Sequence, residues 1–299
     1  MSLQLREFIA AVEPLRLTDL IVAKHGQRVG EYHREEEIRR NQYSASKSFT
    51  STAVGIAVRE GLFALDDLVC EHFEQELPAS PPHELLRLTV RDLLTMCLGQ
   101  DAAYLMAADR FKIGVDDWVR YSLSRPFVQE PGTQFRYTNV GPYLAGILLQ
   151  RRAGCNLVDY LMPRLFQPVG IQRPTWEVDP QGFTFGAGGL FLATSEILRF
   201  GQLYLQEGCW NGKQLVPREW VREASKLQVQ TGSGDGHNGF GYGYLFWRGP
   251  HDSYRADGKY GQYVYVLNKE QAVIAVNSES DDAGKIQDAV WEYIYPQIC

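Results

Sequence analysis

The spacing of the apolar residues changes along this chain, and the change constrains the fold more than any other feature. Near the start, residues 20–24 and 29–33 are typical of two short strands around a turn that contains Gly26. Strand-like spacing returns in the last third, at residues 242–247, 253–256, 262–267 and 272–277. We therefore expect an antiparallel sheet built from both ends of the chain.

Between these strands, apolar residues recur every three or four positions, as in amphipathic helices. A first helix is predicted over residues 48–59, with Ser44 at its start and with Gly61, a residue favoured just after a helix, at its end. Other helices are predicted at residues 90–97, 115–123, 141–152, 157–165, 195–207 and 282–295. The middle of the chain is therefore expected to be mainly helical.

The predicted elements divide the chain into two parts. Residues 1–65 and 181–299 together form the expected sheet subdomain with its flanking helices, and residues 66–180 form a mainly helical subdomain between them. The fold class is thus predicted to be mixed α+β, in one compact unit. A chain of 299 residues can bury such a core. We expect the functional site in the cleft between the two parts.

Charge and composition argue against several functions. The 30 Lys and Arg against 36 Asp and Glu give a net charge of −6, without a basic run, so no nucleic-acid partner is expected. No apolar stretch approaches the roughly 20 residues that span a bilayer. The N-terminus lacks the pattern of a secretory signal, so we expect a cytoplasmic protein, although Met1-Ser2-Leu3 is also compatible with a remnant that replaced a leader.

Neither the histidines nor the cysteines form a recognisable ligand pattern. The six histidines show no H-x-x-x-H or H-E-x-x-H spacing, and the five cysteines include no C-x-x-C pair. We therefore predict no metal and no cofactor, and we expect the cysteines to be free thiols.

Ser44 and Lys47 are the first residues that indicate chemistry. Their separation of three positions places a hydroxyl and an amine on one face of the first turn of a helix. An adjacent base turns a serine hydroxyl into a nucleophile, and the N-terminus of a helix stabilises developing negative charge. Alone, this S-x-x-K pattern also fits a serine that caps a helix.

A second pattern, Tyr137-Thr138-Asn139, follows Pro131-Gly132 and precedes a predicted helix. In this order, the two patterns resemble the first two motifs of the serine β-lactamase-like and penicillin-binding protein family, in its class C β-lactamase, DD-peptidase and esterase branch. The resemblance covers nearly the whole chain, with stretches similar to family framework at residues 60–67, 88–96, 186–190 and 239–247. It implies a β-lactamase/DD-peptidase-like fold.

The resemblance also implies a role for each residue of the two motifs. Ser44 would be the acylated nucleophile, and Lys47 and Tyr137 would be the base and the proton shuttle. Which of the two takes the first proton is left open by the sequence. Asn139 would donate a hydrogen bond that positions the acyl group. The expected partner is a small-molecule or peptide-like acyl substrate.

The third motif of the family, K-T-G or H-x-G, is similar to Ala256-Asp257-Gly258 followed by Lys259, but it departs from the pattern. The resemblance implies a cation in the first position that binds a substrate carboxylate or supports proton transfer, and an alanine can do neither. The backbone N–H of Lys259 could still pair with that of Ser44 as an oxyanion hole. Arg255 or Lys259 could supply a substitute charge. We therefore assign Ala256, Gly258 and Lys259 to substrate binding.

Taken together, the motifs predict a serine hydrolase that forms an acyl-enzyme on an ester or amide. The missing cation favours an esterase or small-amide hydrolase. One alternative is a D-amino-acid or cell-wall peptidase, or a penicillin-binding protein with weak β-lactamase activity. An alternative of another class is a non-catalytic relative that binds a ligand or a partner protein.

Overall fold

An antiparallel sheet joins the two ends of the chain, as the alternating patterns predict. The computed structural model describes residues 2–232, 234 and 236–299. Its strands are β1 (Leu17–Lys24), β2 (Gln27–His33), β3 (Arg40–Asn41), β4 (Phe191–Leu192), β5 (Cys209–Trp210), β6 (Lys213–Gln214), β7 (Trp247–Arg248), β8 (Tyr254–Gly258), β9 (Gln262–Leu267) and β10 (Ala272–Ser278). Six strands of the described chain form one sheet in the order β2-β1-β10-β9-β8-β7. The N-terminal hairpin thus pairs directly with the last strand.

Helices fill the middle of the chain and cover both faces of the sheet. They are α1 (Arg6–Val12), α2 (Ser46–Arg59), α3 (Val69–His72), α4 (His83–Arg87), α5 (Val90–Thr95), α6 (Ala107–Arg110), α7 (Trp118–Leu123), α8 (Val140–Ala153), α9 (Leu157–Leu161), α10 (Thr194–Leu205), α11 (Arg218–Ser225) and α12 (Ala283–Ala289). Turns of π-helix extend α9 through Met162–Phe166 and α12 through Val290–Ile294. The mixed α+β fold class is therefore confirmed.

The central strands separate two apolar cores. Leu20 and Val22 of β1 pack with α1 and α12, whereas Ile21 and Ala23 of the same strand belong to a larger core on the other face. This alternation follows from the pleat of a strand, in which successive side chains point to opposite faces. The larger core also contains buried residues of α2, α5, α8 and α10. The two predicted subdomains therefore share one core, and their boundaries stay a prediction.

The strand predicted at residues 242–247 is wrong for most of its length. Only its last residue belongs to a strand, β7, and Tyr242 forms isolated bridges. Gly241 and Leu245 have positive φ values of 99° and 62°, which interrupt an extended conformation. The aromatic residues of this segment are nevertheless buried, so the apolar signal came from packing and not from sheet pairing.

Two further predictions concern the helices and the thiols. None of the described helices is both long and apolar enough to cross a lipid bilayer. All five cysteines are free thiols, as the scattered spacing predicts.

Candidate active site

Ser44 lies in a 3₁₀ turn, Tyr43–Ala45, that leads directly into α2 and not in the α-helix itself. Tyr43 has a φ of 44°, a left-handed conformation that costs a non-glycine residue on the order of 1 kcal/mol. Its N–H donates to Asn41 Oδ1 at 2.7 Å, and its ring packs edge-on against Tyr260 at a centroid distance of 5.2 Å. These contacts hold the turn that presents Ser44.

Lys47 follows one turn later and is only 1% exposed. Its Nζ lies 2.8 Å from Ser44 Oγ and 2.6 Å from the carbonyl oxygen of Ala187. Burial, helped by the charge of Arg110 and opposed by that of Asp257, lowers the pKa of Lys47 from 10.5 to about 7. An amine with this pKa is present as free base in a large fraction of molecules at neutral pH, which an ordinary lysine is not.

Tyr137 adjoins the same pair of residues. Nζ of Lys47 lies 5.1 Å from the centre of its ring, and the ring stacks on Trp247 at a centroid distance of 5.4 Å. Burial raises the pKa of Tyr137 above its ordinary value of 10.0, and the interaction with the Ser44 hydroxyl opposes this rise. The phenol is therefore protonated at neutral pH, so it can donate a proton but is not a phenolate base.

Asn139 lies immediately before α8 and lines the same cavity. Its Nδ2 donates to the carbonyl oxygen of Leu105 at 2.8 Å, whereas its Oδ1 is buried without a partner among the described residues. The resemblance implied a donor at this position. The atom that is left unpaired is an acceptor, which an N–H of a substrate would satisfy.

The third predicted segment lies at the end of β8, against the nucleophile turn. A Cβ atom on Gly258 would lie 2.3 Å from the carbonyl oxygen of Gln42 and 3.2 Å from the backbone nitrogen of Ala45, so this approach requires glycine. Among the described residues, the backbone N–H groups of Ser44 and Lys259 have no acceptor. Both are available as donors at this junction, in the manner of an oxyanion hole.

Ala256 does not lie where substrate contact would require it. It is 2% exposed, pairs with Val264 and belongs to the larger core, and the next residue, Asp257, lines the cavity instead. Neighbouring residues of a strand point to opposite faces, so a buried Ala256 turns the carboxylate of Asp257 towards the cavity. This correction replaces the predicted alanine with an acidic residue. Lys259, by contrast, lines the cavity with an exposed side chain, and its role in substrate binding stays a prediction.

A cavity of about 710 Å³ lies beside the nucleophile turn. The volume falls within the roughly 300–1,000 Å³ of typical small-molecule sites. Ser44, Tyr137 and Asn139 line it together with the aromatic side chains of Phe135 and Trp247. The cavity therefore brings a hydroxyl, a phenol and an amide together beside an apolar wall, and the buried amine of Lys47 lies 2.8 Å from the hydroxyl.

Sequence reasoning missed an ion pair at this cavity. Nη2 of Arg110 lies 2.9 Å from Glu177 Oε2, and its guanidinium covers the ring of Phe185 at 4.4 Å. A Cβ on Gly189 would lie 2.5 Å from that of Glu177, so the Gly-rich turn permits the acid to pack there. No local motif marks either charged residue, because separate segments of the chain bring them together.

The chain belongs to the β-lactamase family. The model of that family, described as Beta-lactamase, matches residues 20–295, which is most of the sequence. This match confirms the resemblance drawn from the first two motifs, and the β-lactamase/DD-peptidase-like fold expected from it.

Individual relatives are distant. An uncharacterised protein of Alkalihalophilus pseudofirmus is 23% identical over 245 residues, which are 75% of this chain and 66% of the relative, so the chain spans less than two thirds of that protein's length. A candidate 6-aminohexanoate-dimer hydrolase from Bacillus anthracis has a similar structure, with a TM-score of 0.82 and 19% identity over 97% of this chain and 80% of that one. EstCE1, a hydrolase with promiscuous acyltransferase activity, superposes with a TM-score of 0.75 and 16% identity over 95% and 96%. The TM-scores show that these proteins share the fold of this chain, and at such low identity the similarity shows the fold alone.

Proposed function

We propose that this protein is a serine hydrolase that cleaves a small ester or amide through an acyl-enzyme on Ser44. One observation carries the proposal: a buried amine with a pKa of about 7 lies 2.8 Å from the serine hydroxyl. A lysine with an ordinary pKa would be almost entirely protonated at neutral pH and could not accept the serine proton. Membership of the β-lactamase family supports hydrolysis as the type of reaction.

In the acylation step, Oγ of Ser44 attacks the carbonyl carbon of the substrate while its proton passes to Nζ of Lys47. Negative charge develops on the carbonyl oxygen, and the backbone N–H groups of Ser44 and Lys259 are the donors assigned to stabilise it. The carbonyl oxygen of Ala187 accepts a hydrogen bond from the lysine amine and so stabilises the ammonium form that results.

The leaving group departs when its bond to the carbonyl carbon breaks. It takes a proton from the phenol of Tyr137, which recovers one from the ammonium of Lys47. Tyr137 suits this relay because burial keeps it protonated. Lys47 is again neutral in the acyl-enzyme, where it accepts a proton from the attacking water. The bond between the acyl carbon and Oγ of Ser44 then breaks, Oγ takes the proton from Lys47, and the acid is released with Ser44 regenerated.

Two observations support a small ester or amide in preference to a β-lactam. An alanine, Ala256, occupies the position where the family's third motif would place a cation, so this position offers no charge to a substrate carboxylate. The structural neighbours include, beside penicillin-binding proteins and β-lactamases, a candidate 6-aminohexanoate-dimer hydrolase and a hydrolase with promiscuous acyltransferase activity, so this fold also accommodates substrates other than β-lactams.

The test is the intact mass of the protein after exposure to a fluorophosphonate, together with turnover of 4-nitrophenyl butyrate. Wild type should gain one adduct and hydrolyse the ester, and Ser44→Ala should do neither. Ser124→Ala, which removes an exposed hydroxyl on the helical side, is the matched control and should behave as wild type. Equal behaviour of wild type and Ser44→Ala with both probes would replace this proposal with the non-catalytic alternative.

A second arm separates the hydrolytic alternatives. Wild type and Ser44→Ala are each incubated with a penicillin and weighed again. A stable adduct that requires Ser44 would favour a penicillin-binding peptidase over an esterase. Ester turnover without such an adduct is the result we expect.

A further inference from the structure

We infer that the cavity selects acyl groups that carry a protonated amine, and that the carboxylate of Asp257 binds this amine. The inference rests on the proposed function and adds a substrate class to it. Its starting point is a change in chemistry at the third motif: the residue that lines the cavity there is an acid, and the buried Arg255 that pairs with this acid does not itself line the cavity.

Asp257 is held so that one carboxylate oxygen remains available. Oδ2 accepts a hydrogen bond from Nε of Arg255 at 2.8 Å, whereas Oδ1 has no partner among the described residues. Arg255 is 1% exposed and cannot swing into the cavity. Its remaining donors are engaged elsewhere, with the carbonyl oxygens of Arg248 and His237 and with Oδ1 of Asn238. The arginine therefore orients the carboxylate while leaving Oδ1 for a ligand.

The carboxylate is close enough to the reacting groups to meet the acyl part of a substrate. Asp257 lines the cavity together with Ser44 and Tyr137, and its charge raises the pKa of both Lys47 and Tyr137. Asp257 lines both this cavity and a second, more polar depression, which Lys259 and Gln287 also line. A substituent a few bonds from the acyl carbon would reach it.

The buried Arg255 offsets part of the charge of this carboxylate through Oδ2 and leaves Oδ1 as an acceptor, and the other described cations around the cavity do not pair with Asp257. Arg110 is paired with Glu177 at 2.9 Å. Arg136 and Lys259 are exposed, so water and salt screen their charge more strongly than that of a group inside the cavity. At Oδ1 a cationic substituent can therefore donate a hydrogen bond, whereas a carboxylate substituent would meet another acceptor.

Asn139 gives independent support for a ligand with N–H donors. The residue is 7% exposed and lines the cavity, and its Oδ1 is unpaired while Leu105 engages its Nδ2. A buried acceptor without a partner costs about 1–3 kcal/mol, which a ligand donor recovers. An ammonium offers three N–H groups and a carboxylate offers none, so the two unpaired acceptors favour the same class of ligand.

The experiment compares three benzyl esters that differ only at the end of the acyl chain. Benzyl 3-aminopropanoate carries an ammonium, benzyl propanoate is neutral, and monobenzyl succinate carries a carboxylate. Release of benzyl alcohol gives kcat/KM for each at pH 7. We expect the order ammonium, neutral, carboxylate, with the first exceeding the second on the order of tenfold to a hundredfold, the usual worth of a charge-assisted hydrogen bond.

The Asp257→Asn variant tests whether Asp257 causes the preference for the ammonium ester. Its amide oxygen can still accept from Arg255, so the strand is retained, and the ratio of the ammonium ester to the neutral ester should fall at least about tenfold. Asp257→Thr should lower the ratio as well, which guards against misfolding of one variant. The control is Asp281→Asn, which removes an exposed carboxylate outside the cavity and should keep the wild-type ratio.

The outcomes separate this inference from the proposed function. Hydrolysis of the propanoate ester that requires Ser44, without a preference for the ammonium ester, would overturn the inference and leave the serine hydrolase standing. A preference that survives in both Asp257 variants would overturn it too. Loss of turnover for all three esters, together with no fluorophosphonate adduct, would overturn both.

Discussion

Helices α2 and α8 have the same length of 14 residues and both cross the larger core, but they are built from different side chains. The first half of α2 buries a lysine and several hydroxyl residues, namely Ser46, Lys47, Ser48, Thr50, Ser51 and Thr52. The buried part of α8 consists mainly of Gly, Ala, Leu, Ile and Val. One helix thus carries the polar groups of the site, and the other provides an apolar support.

The buried hydroxyls of α2 attach the cavity walls to the helix that follows Ser44. Thr50 Oγ1 donates to the carbonyl oxygen of Gly186 at 2.7 Å, and Ser48 Oγ donates to that of Leu245 at 2.8 Å. In α8, by contrast, a Cβ on Gly141 would lie 2.2 Å from the carbonyl oxygen of Leu93, a contact made by backbone alone. Polar burial in this core is therefore concentrated where side chains must be held in position for chemistry.

The largest expected effect is the loss of catalysis on removing the amine of α2. Lys47→Ala should lower kcat for 4-nitrophenyl butyrate by about 10²–10⁴-fold, the usual contribution of a general base. Adding Ser44→Ala should cause little further loss, because the two groups act as a unit. Near-wild-type turnover in a folded Lys47→Ala protein would remove the amine from the mechanism.

The second expected effect is on the free energy of unfolding: the buried amine of Lys47 serves catalysis but destabilises the fold. The pKa of Lys47 is 10.5 without burial and about 7 in the fold, so the unfolded chain binds more protons between these pH values and stability rises with pH across that window. At 1.36 kcal/mol per pKa unit, the penalty below pH 7 approaches roughly 5 kcal/mol.

Lys47→Met, which keeps the length of the side chain without the charge, should therefore be more stable than wild type at pH 6. The advantage should shrink as the pH rises towards 10. Denaturant unfolding at several pH values measures the difference. As a control in α8, Ile147→Val should cost about 0.5–1.5 kcal/mol at every pH. An advantage of Lys47→Met that does not change with pH would show that the lysine is not buried as an amine of lowered pKa.

The pH profile of the rate tests the same amine in the working enzyme. Below pH 7, kcat/KM should rise about tenfold per pH unit, and above it should level off, because only the free base accepts the serine proton. Arg110→Met should move the midpoint to higher pH, since the arginine lowers the pKa of Lys47. Asp257→Asn should move it to lower pH, since the aspartate raises that pKa. Midpoints that stay in place would disprove the assignment.

The smallest effect separates the two helices most directly. Thr50→Val removes the bond to Gly186 and leaves a buried carbonyl unpaired, which should cost about 1–3 kcal/mol. Because Gly186 precedes Ala187, the partner of Lys47, kcat should fall about tenfold as well. Ile147→Val, with a similar loss of stability, should keep the wild-type kcat. Equal kcat values in the two variants would mean that the α2 hydroxyls serve stability alone.

The sequence alone predicts those strands and helices whose pattern of apolar residues is local. Alternation located the strands of the N-terminal hairpin and of residues 262–267 and 272–277, and helical spacing located α2 and α8. It failed at residues 242–247, where packed aromatic residues imitate a strand. Burial and backbone conformation are separate properties, and at these residues the apolar pattern predicts burial without predicting a strand.

The same limit applies to the candidate site. Ser44 and Lys47 are three positions apart, so a helical turn alone predicts their contact. The charges of Arg110 and Asp257 shift the pKa of that lysine, but both residues belong to distant segments, and no spacing in the sequence predicts that they lie near it. The register of β8 decides that an acid and not the alanine reaches the cavity, and register depends on partner strands.

The carbonyl oxygen of Ala187 has one more consequence, which concerns hydrogen atoms only. A carbonyl can only accept, so one N–H of Lys47 points to it whether the amine is charged or neutral. The bond to Ser44 must then change direction with the charge: the ammonium donates to Oγ, whereas the neutral amine turns its lone pair to the serine and accepts from it. The active and inactive forms of the site can thus share one arrangement of heavy atoms and differ in one proton on Nζ of Lys47 and in the orientation of the Ser44 hydroxyl hydrogen.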